Sequence, residues 1–413
     1  MKSNIAIIGA GITGLTVGNL LKDTHNVTIF EKESVPGGLI RCKEIDGGLF
    51  HICGGHVFNS KRNDVLDWFW SHFSKDDFLK ADRNSVIYLG DKILPYPIEN
   101  YIYLLSEEQQ KEIIADWLGI KHSNHTNANF EDFLINRFGK TLYDLYFKPY
   151  NEKIWNSRLD NVSLDWLEGK LPMPTVEEMF LNNINKIKEK TFVHSTFWYE
   201  KHGGSQFIAD TLSKGLNIIY NTPVEELSIN EDGTWSINGN KFDSVVYCAN
   251  IKELCSMMKS DILAKYTDFI KSLRFHGTTT VFCKIDKNPY SWVYLPDTNY
   301  SAHRIICTGN FSPFNNPTNA FTATIEFTDH IDIDQIKKQL VKIPLNPKYI
   351  THNYNKYTYP IQDSKTRLTL NSIKELLSNR NFHLCGRFAE WEYYNMDAAI
   401  GSAIDLCKRQ FVN

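Results

Sequence analysis

Charge of one sign, paired cysteines, long apolar runs and low-complexity tracts are scarce or absent in this chain, and each absence closes a class of function. Lys and Arg number 45 against 48 Asp and Glu, a formal net charge of −3. The basic residues are scattered, so no electropositive field for nucleic acid or an anionic membrane is expected. No apolar run reaches the roughly 20 residues that a membrane-spanning helix needs. Residues 1–20 read as strand and helix without a charged leader or cleavage site, so a cytosolic protein with no membrane insertion is expected. The cysteines, Cys42, Cys53, Cys248, Cys255, Cys283, Cys307, Cys385 and Cys407, show no Cys-x-x-Cys spacing. Several fall in apolar strands such as Val245-Val246-Tyr247-Cys248, so buried reduced thiols are expected, with neither disulfides nor a metal site. No Ser-, Pro- or Gly-rich tract and no internal repeat is apparent, so organisation must be read from changes of period rather than from linkers.

What is present begins at residue 4. The run Asn4-Ile5-Ala6-Ile7-Ile8-Gly9-Ala10-Gly11-Ile12-Thr13-Gly14-Leu15 is an apolar strand entering Gly-x-Gly-x-x-Gly and then a helix, and Glu31 closes the next apolar run. Gly9 allows a tight turn, Gly11 lets the backbone approach a pyrophosphate, and Gly14 lets helix and strand pack closely, while unpaired helix N-terminal amides face the anion. A carboxylate at Glu31 suits a ribose hydroxyl pair and disfavours a 2′-phosphate. An ordinary strand-turn-helix that binds nothing would share the glycines, but strand, helix and acid stand at the offsets of a dinucleotide cradle. Just beyond, Gly37-Gly38 lets the backbone pass close to a large ligand, and with 413 residues this favours a flavin over a nicotinamide.

The chain has material for two or three domains. Residues 1–70 read as strand, helix, strand, loop, helix. Short strands are expected near Val86–Tyr88 and Ile93–Leu94. A helical region follows from about 100 to 190, with Ser106-Glu107-Glu108-Gln109 as a helix start and an amphipathic segment from Phe130 to Phe138. Residues 205–214 read as a helix, and Leu216–Ile219 and the alternating run 224–248 as strands returning to the nucleotide domain. Runs such as Thr278–Ile285, Tyr300–Cys307 and Phe321–Phe327 predict a broad antiparallel sheet between 272 and 357. The last strand and a helix from about Asp397 should return to the cofactor. The economical architecture is α/β, with a discontinuous Rossmann-like FAD-binding domain over 1–72, 190–255 and 380–413. A helical domain with a mobile loop occupies 99–189, and an antiparallel sheet domain occupies 73–98 and 256–379.

At this point the residues resemble a known family, the UDP-galactopyranose mutases, flavoenzymes related in fold to amine oxidases and protoporphyrinogen oxidase. The resemblance runs end to end. It is carried by Gly54-Gly55-His56-Val57-Phe58, Pro95-Tyr96-Pro97-Ile98, Lys148-Pro149-Tyr150-Asn151-Glu152-Lys153-Ile154-Trp155, His202-Gly203-Gly204, His303-Arg304-Ile305-Ile306, Tyr359-Pro360, and Gly386-Arg387-Phe388-Ala389-Glu390-Trp391-Glu392-Tyr393-Tyr394-Asn395-Met396, in that order. It implies interconversion of the pyranose and furanose forms of a UDP-sugar, UDP-galactose first among them, for cell-surface polysaccharide biosynthesis. It implies FAD, reduced by an external NAD(P)H, whose N5 attacks the anomeric carbon as UDP leaves. A homodimer is compatible with it.

The resemblance also implies roles residue by residue. A diphosphate held as ester and as departed anion suits arginine, whose planar fork pairs two oxygens; Arg304 and Arg387 are the candidates. Tyr359, biased to extended geometry by Pro360, and Tyr294 would add hydroxyls. Tyr150, Asn151 and Trp155 would receive the uridine, with Tyr96 as a stiffly presented ring and Glu99 reaching the base or ribose. Tyr150 and Trp155, five apart, imply a bent or terminating helix. Tyr393, Asn395 and Met396 precede a helix whose positive end would favour charge on a reduced flavin, next to Gly386. His56 would sit beside the flavin, and the backbone of Val224 would meet the adenine. Each tyrosine could instead be core or sheet-face packing, and His56 a structural histidine bonded to backbone.

Two departures stand out. Lys170 occupies the place of a mobile-loop arginine, keeping the charge and losing the fork. Asn395 stands where bacterial members carry Asp and eukaryotic members carry Asn, so galactose is not assured. Two other classes share parts of the pattern. A flavin oxidase of the amine oxidase or protoporphyrinogen oxidase class would need an apolar tunnel, at odds with Arg304, Arg387 and Lys170 interleaved with tyrosines. A flavin-binding scaffold without chemistry has only Lys170 in its favour.

Overall fold

The computed structural model describes residues 2–121, 127–164, 167, 174–187, 195–363 and 365–411. The apolar run after the amino terminus forms the strand Asn4–Ile8, central in a five-stranded sheet with Asn26–Phe30 and Ile218–Ile219 on one side and Ser244–Tyr247 and Phe382–Leu384 on the other. Every pairing in it is parallel. That explains the unbroken apolar sequence, because strands covered on both faces need no polar alternation. Helices Ile12–Leu21 and Met396–Gln410 cover one face through Leu15, Val17, Ala399, Ile400 and Ala403. Helices Ile251–Met257 and Thr366–Ser378 join the core of the other face. In the alternating run 224–248 only Ser244–Tyr247 enters this sheet; Leu227–Ile229, Trp235–Ile237 and Asn240–Phe242 form a separate three-stranded meander packed on the same face.

The second sheet has seven strands, from Lys348–Ile361 through Arg274–Ile285, Phe321–Thr328, Ala302–Ile306, Trp292–Tyr294 and Ser85–Leu89 to Lys92–Pro95. It is antiparallel except where Trp292–Tyr294 runs parallel to Ser85–Leu89. Two strand pairs escaped the sequence reading. One is the hairpin Cys42–Ile45 with Gly48–His51, whose Asp46-Gly47 turn has φ of 51° and 73°, the left-handed pair that tight hairpins require. The other joins Phe78–Asp82 to Thr196–Glu200, strands more than 100 residues apart whose pairing leaves no local signature.

The helices Glu107–Lys121, Phe130–Phe138, Lys148–Trp155 and Val176–Asn185 share a core with Ile87, Leu94, Trp292, Tyr294 and Ile306 of the seven-stranded sheet. Ser106 and Gln109 cap the first reciprocally, each backbone N–H donating to the other's side chain at 3.2 and 3.3 Å, as the sequence predicts. Phe130, Leu134 and Phe138 supply the buried stripe of the second. A π-helical stretch, Tyr143–Phe147, leads into Lys148–Trp155, which ends at Asn156 in the left-handed region (φ 45°). That is the terminating helix the Tyr150/Trp155 spacing implies. All eight cysteines carry free thiols, and among the described residues no helix is long and apolar enough to cross a membrane.

Candidate active site

The glycines of the first turn divide the work. Gly9, at φ +103°, makes the turn, and its N–H donates to the Phe30 carbonyl at 2.8 Å. Gly11 caps the helix in extended geometry, and a β-carbon there would meet nothing within 4 Å. Gly14 is different: its β-carbon would lie 1.9 Å from the Gly9 carbonyl oxygen, so it serves helix–strand packing and lies outside the cavity lining. Glu31 lines the cavity, and its carboxylate accepts from the backbone N–H of Ala10 at 2.7 Å and of Glu33 at 2.9 Å. Its first task is therefore to hold the loops of the cradle in place. Gly37 (φ +118°) and Gly38 (φ +56°) pass alongside, with the Gly37 N–H donating to the Ala10 carbonyl at 2.8 Å. Val224 closes the far wall.

From this cradle one continuous cavity of about 860 Å³ runs to the edge of the seven-stranded sheet. Its waist is lined by His56. Gly54 takes φ +67°, and a β-carbon on Gly55 would come within 2.5 Å of Ile306, so the loop lies flat against the sheet and presents the imidazole. The His56 Nε2 is buried with no hydrogen-bond partner in the protein. Burial, then the nearby Arg387 charge, pushes the ring pKa down to about 4, so it is neutral at ordinary pH. His56 lines the cavity, so a ligand group there can meet that nitrogen. Opposite, Asn395 precedes helix Met396–Gln410 in extended geometry without a side-chain cap bond, and Asn395 and Met396 both line the cavity. The positive end of that helix therefore lies at the cavity wall. Gly386 (φ +96°) lies behind the lining, where a β-carbon would strike Thr13 Oγ1 at 2.6 Å.

Arg387 is more committed than a free fork. Its Nε and Nη2 donate to the Thr358 carbonyl at 3.1 and 2.7 Å and its Nη1 to the Tyr394 carbonyl at 2.7 Å, which leaves two of the five N–H groups. The guanidinium lies over Tyr393 at 4.5 Å and Tyr359 at 5.5 Å. Tyr359 is stacked between His276 (4.6 Å) and Tyr393 (5.3 Å), and its hydroxyl accepts from Arg304 Nη2 at 3.3 Å. Burial raises the Tyr359 pKa well above the ordinary phenol value, so it stays protonated. Arg304 Nε is bonded to the Glu326 carboxylate. Burial alone would raise that acid, but the adjacent Arg304 holds it well below the usual carboxylate range.

Tyr294 stands directly opposite Arg304 in the sheet. Tyr150 meets its ring edge-on at 5.2 Å and stacks on Tyr146 at 5.5 Å; Tyr96 lies 5.0 Å from Tyr294. Asn151 lines the cavity while its amide donates to the Phe147 carbonyl at 2.7 Å. Trp155, 6.3 Å from Tyr393, completes this wall.

Besides Gly14 and Gly386, two candidates do not join. Glu99 is 1% exposed within the turn Ile98–Asn100, whose three residues are all buried, and it is not part of the lining; its expected contact with base or ribose is corrected to a place in the core. Lys170 lies outside the described residues. Among the lining residues that sequence reasoning missed is an arginine, Arg83. Arg83 donates to the Tyr294 hydroxyl and, at 2.7 Å, to Ser85 Oγ, and lies over Trp292 at 4.5 Å. In sequence Asp82-Arg83-Asn84 is only a polar connection between strands, and nothing local marks its arginine as inward. Arg83, Arg304 and Arg387 thus line an aromatic part of the cavity, an arrangement suited to a diphosphate bearing a flat base.

Comparison with known proteins bears out the fold. Residues 7–73 match the family described as NAD(P)-binding Rossmann-like domain. The chain is 23% identical to a UDP-galactopyranose mutase of Mycoplasma genitalium, with 96% of this chain and 92% of that protein covered. The crystal structure of a reduced UDP-galactopyranose mutase superposes with a TM-score of 0.88 at 21% identity, over 99% of this chain and 94% of that one. A putative protoporphyrinogen oxidase from Exiguobacterium gives 0.77 at 15% identity, over 99% and 98%. The chain is thus similar to the UDP-galactopyranose mutases from end to end and shares their fold.

Proposed function

We propose that this protein is an FAD-dependent isomerase that interconverts the pyranose and furanose forms of a nucleoside diphosphate sugar, with UDP-galactose as the first substrate to test. The observation that carries the reading is that Arg304, Tyr359 and Tyr294 line the same cavity as the Gly9–Gly11 cradle, so one cavity would receive both a dinucleotide and a diphosphate sugar. Gly9, Gly11, Glu31, Gly37, Gly38 and Val224 would hold the adenosine diphosphate half of FAD. His56, Asn395 and Met396 would flank its ring. Bound and reduced, FAD supplies a nucleophile for the anomeric carbon, and an external NAD(P)H is the proposed reductant.

The chain's own residues do the rest. Arg304 and Tyr359 hold the diphosphate before and after it leaves, so the anion is retained for return. Tyr150, Tyr294 and Tyr96 offer rings to the base, and Arg83 adds a cation beside them. Arg387 and Tyr393 line the part of the cavity where ring and sugar would meet. A neutral His56 adds no second positive charge there, and the start of helix Met396–Gln410 favours negative charge on the ring. Cell-surface polysaccharide synthesis is the proposed use of the product.

The test is to incubate photoreduced, FAD-loaded protein with UDP-galactopyranose and other nucleotide sugars and to analyse the products for ring size. Ring contraction without consumption of oxidant supports the proposal. No ring change with any of them, or stoichiometric oxidant consumption, refutes it. The second outcome would favour an oxidase, the reading to which the fold likeness of the protoporphyrinogen oxidase also lends itself.

A further inference from the structure

We propose that Glu326 is a positioning residue: with a β-bulge at His303, it fixes the direction in which Arg304 presents its guanidinium to the anionic part of the substrate. The role rests on the nucleotide-sugar reading above and adds residues which that reading does not use. Tyr294, Arg304 and Glu326 stand directly opposite one another on three neighbouring strands, so their side chains share one face of the sheet. Between Ala302, paired with Phe327, and Arg304, paired with Glu326, the register shifts by one residue, and that extra residue is His303.

The bulge matters because consecutive side chains of a regular strand point to opposite faces. With two residues opposing one, His303 and Arg304 both reach the same carboxylate oxygen. His303 Nε2 is 3.3 Å from Glu326 Oε2, the atom that also accepts from Arg304 Nε. His303 and Glu326 side chains are each 1% exposed, whereas Arg304 is 20% exposed. The anchor is dry and the working end reaches the cavity.

Stability does not account for this arrangement. Burying a charged pair costs desolvation that its attraction roughly returns, and apolar residues of the same size would hold the sheet at least as well. What the pair provides is direction. The guanidinium is held at Nε by Glu326 and at Nη2 by the Tyr359 hydroxyl, which leaves both N–H groups of Nη1 and one of Nη2 for a ligand. The anchor also reaches the aromatic wall: Thr328 Oγ1 lies 3.4 Å from His303 Nδ1 and donates to the Lys153 carbonyl at 2.5 Å. Lys153 sits in the helix that carries Tyr150 and Trp155. Buried polar contacts thus lead from the anion-binding arginine toward the helix that carries the rings proposed for the base.

The test measures UDP dissociation constants by calorimetry on FAD-loaded protein. Glu326→Asp keeps the charge and shortens the arm; Glu326→Gln keeps the length and one acceptor and removes the charge. Expected is about a tenfold weaker UDP affinity for Glu326→Asp, the scale of one hydrogen bond to a charged group, and a smaller loss for Glu326→Gln. The loss should appear in KM rather than kcat, with FAD content unchanged. In an Arg304→Ala background neither change should weaken UDP further. Wild-type affinity in Glu326→Asp, or an undiminished loss in the Arg304→Ala background, overturns the role. If Glu326→Asp fails to load FAD, Glu326→Gln decides: weaker UDP binding supports the role, and unchanged or tighter binding, as a mere charge neutraliser would give, overturns it. Absence of UDP binding by the wild-type protein overturns the functional reading and this role with it.

Discussion

Two glycines three residues apart should fail in opposite ways when given a side chain. At Gly11 a β-carbon meets nothing within 4 Å, and the backbone is extended at a helix N-cap, so Gly11→Val should cost the fold only about 1 kcal/mol. The open space around it is the space proposed for the FAD pyrophosphate, and valine would fill it. At Gly14 a β-carbon would lie 1.9 Å from the Gly9 carbonyl oxygen. Helix and strand must separate to admit it, at a cost of about 1–3 kcal/mol or more. The assay compares the 450 nm absorbance of each purified variant with its urea unfolding, using FAD-stripped wild-type protein as reference. A ligand present at 100 times its dissociation constant stabilises by about 2.7 kcal/mol. Gly11→Val should therefore be colourless, unfold within about 1 kcal/mol of the stripped wild type, and gain nothing from added FAD. Gly14→Ala should unfold below the stripped reference. A yellow Gly11→Val protein with one FAD per chain would refute the division of labour.

Other changes probe the far end of the cavity and the buried histidines. Tyr150→Ala should weaken UDP binding by about 1–3 kcal/mol if its ring stacks on the base; calorimetry finding no change would remove it from the site. Arg83→Gln should weaken UDP binding by about 1.5–3 kcal/mol through loss of a charged donor, with FAD content retained, and an unaltered UDP affinity would reduce Arg83 to a prop for Tyr294. Burial lowers the pKa of His51 to about 3 and of His276 to about 4, against about 6.5 in an unfolded chain. The unfolded state therefore binds more protons as pH falls from 6.5 toward 4, and the stability these neutral rings confer above pH 6.5 is lost over that window, by about 2 kcal/mol each at pH 5. Urea unfolding at pH 7.5 and pH 5 checks this, and a flat profile would contradict it.

What could be read from the chain alone is what neighbours in sequence decide among themselves. Gly9, Gly11 and Gly14 fall within one turn, so their spacing already dictates turn, approach and packing. Ser106 with Gln109, and Phe130 with Leu134 and Phe138, declare helices by contacts three and four residues long. Arg304, Tyr359, Tyr294 and Tyr150 were named through a family resemblance, and the fold brings them to one cavity. Glu99 was also named through the resemblance, but the turn Ile98–Asn100 that carries it is packed inward.

Tertiary structure decided everything that depends on register and convergence. Arg83 becomes a cavity residue only because Trp292 and Tyr294 arrive beside it from a strand some 200 residues later. Glu326 meets Arg304 across a ladder, and His303 joins them only through a one-residue shift in that ladder. A strand's period of two is written in its sequence, but the partner against which it is counted is not. Which side chains share a face, and which cations share a carboxylate, follows from pairing between distant segments, and that pairing is a property of the folded chain.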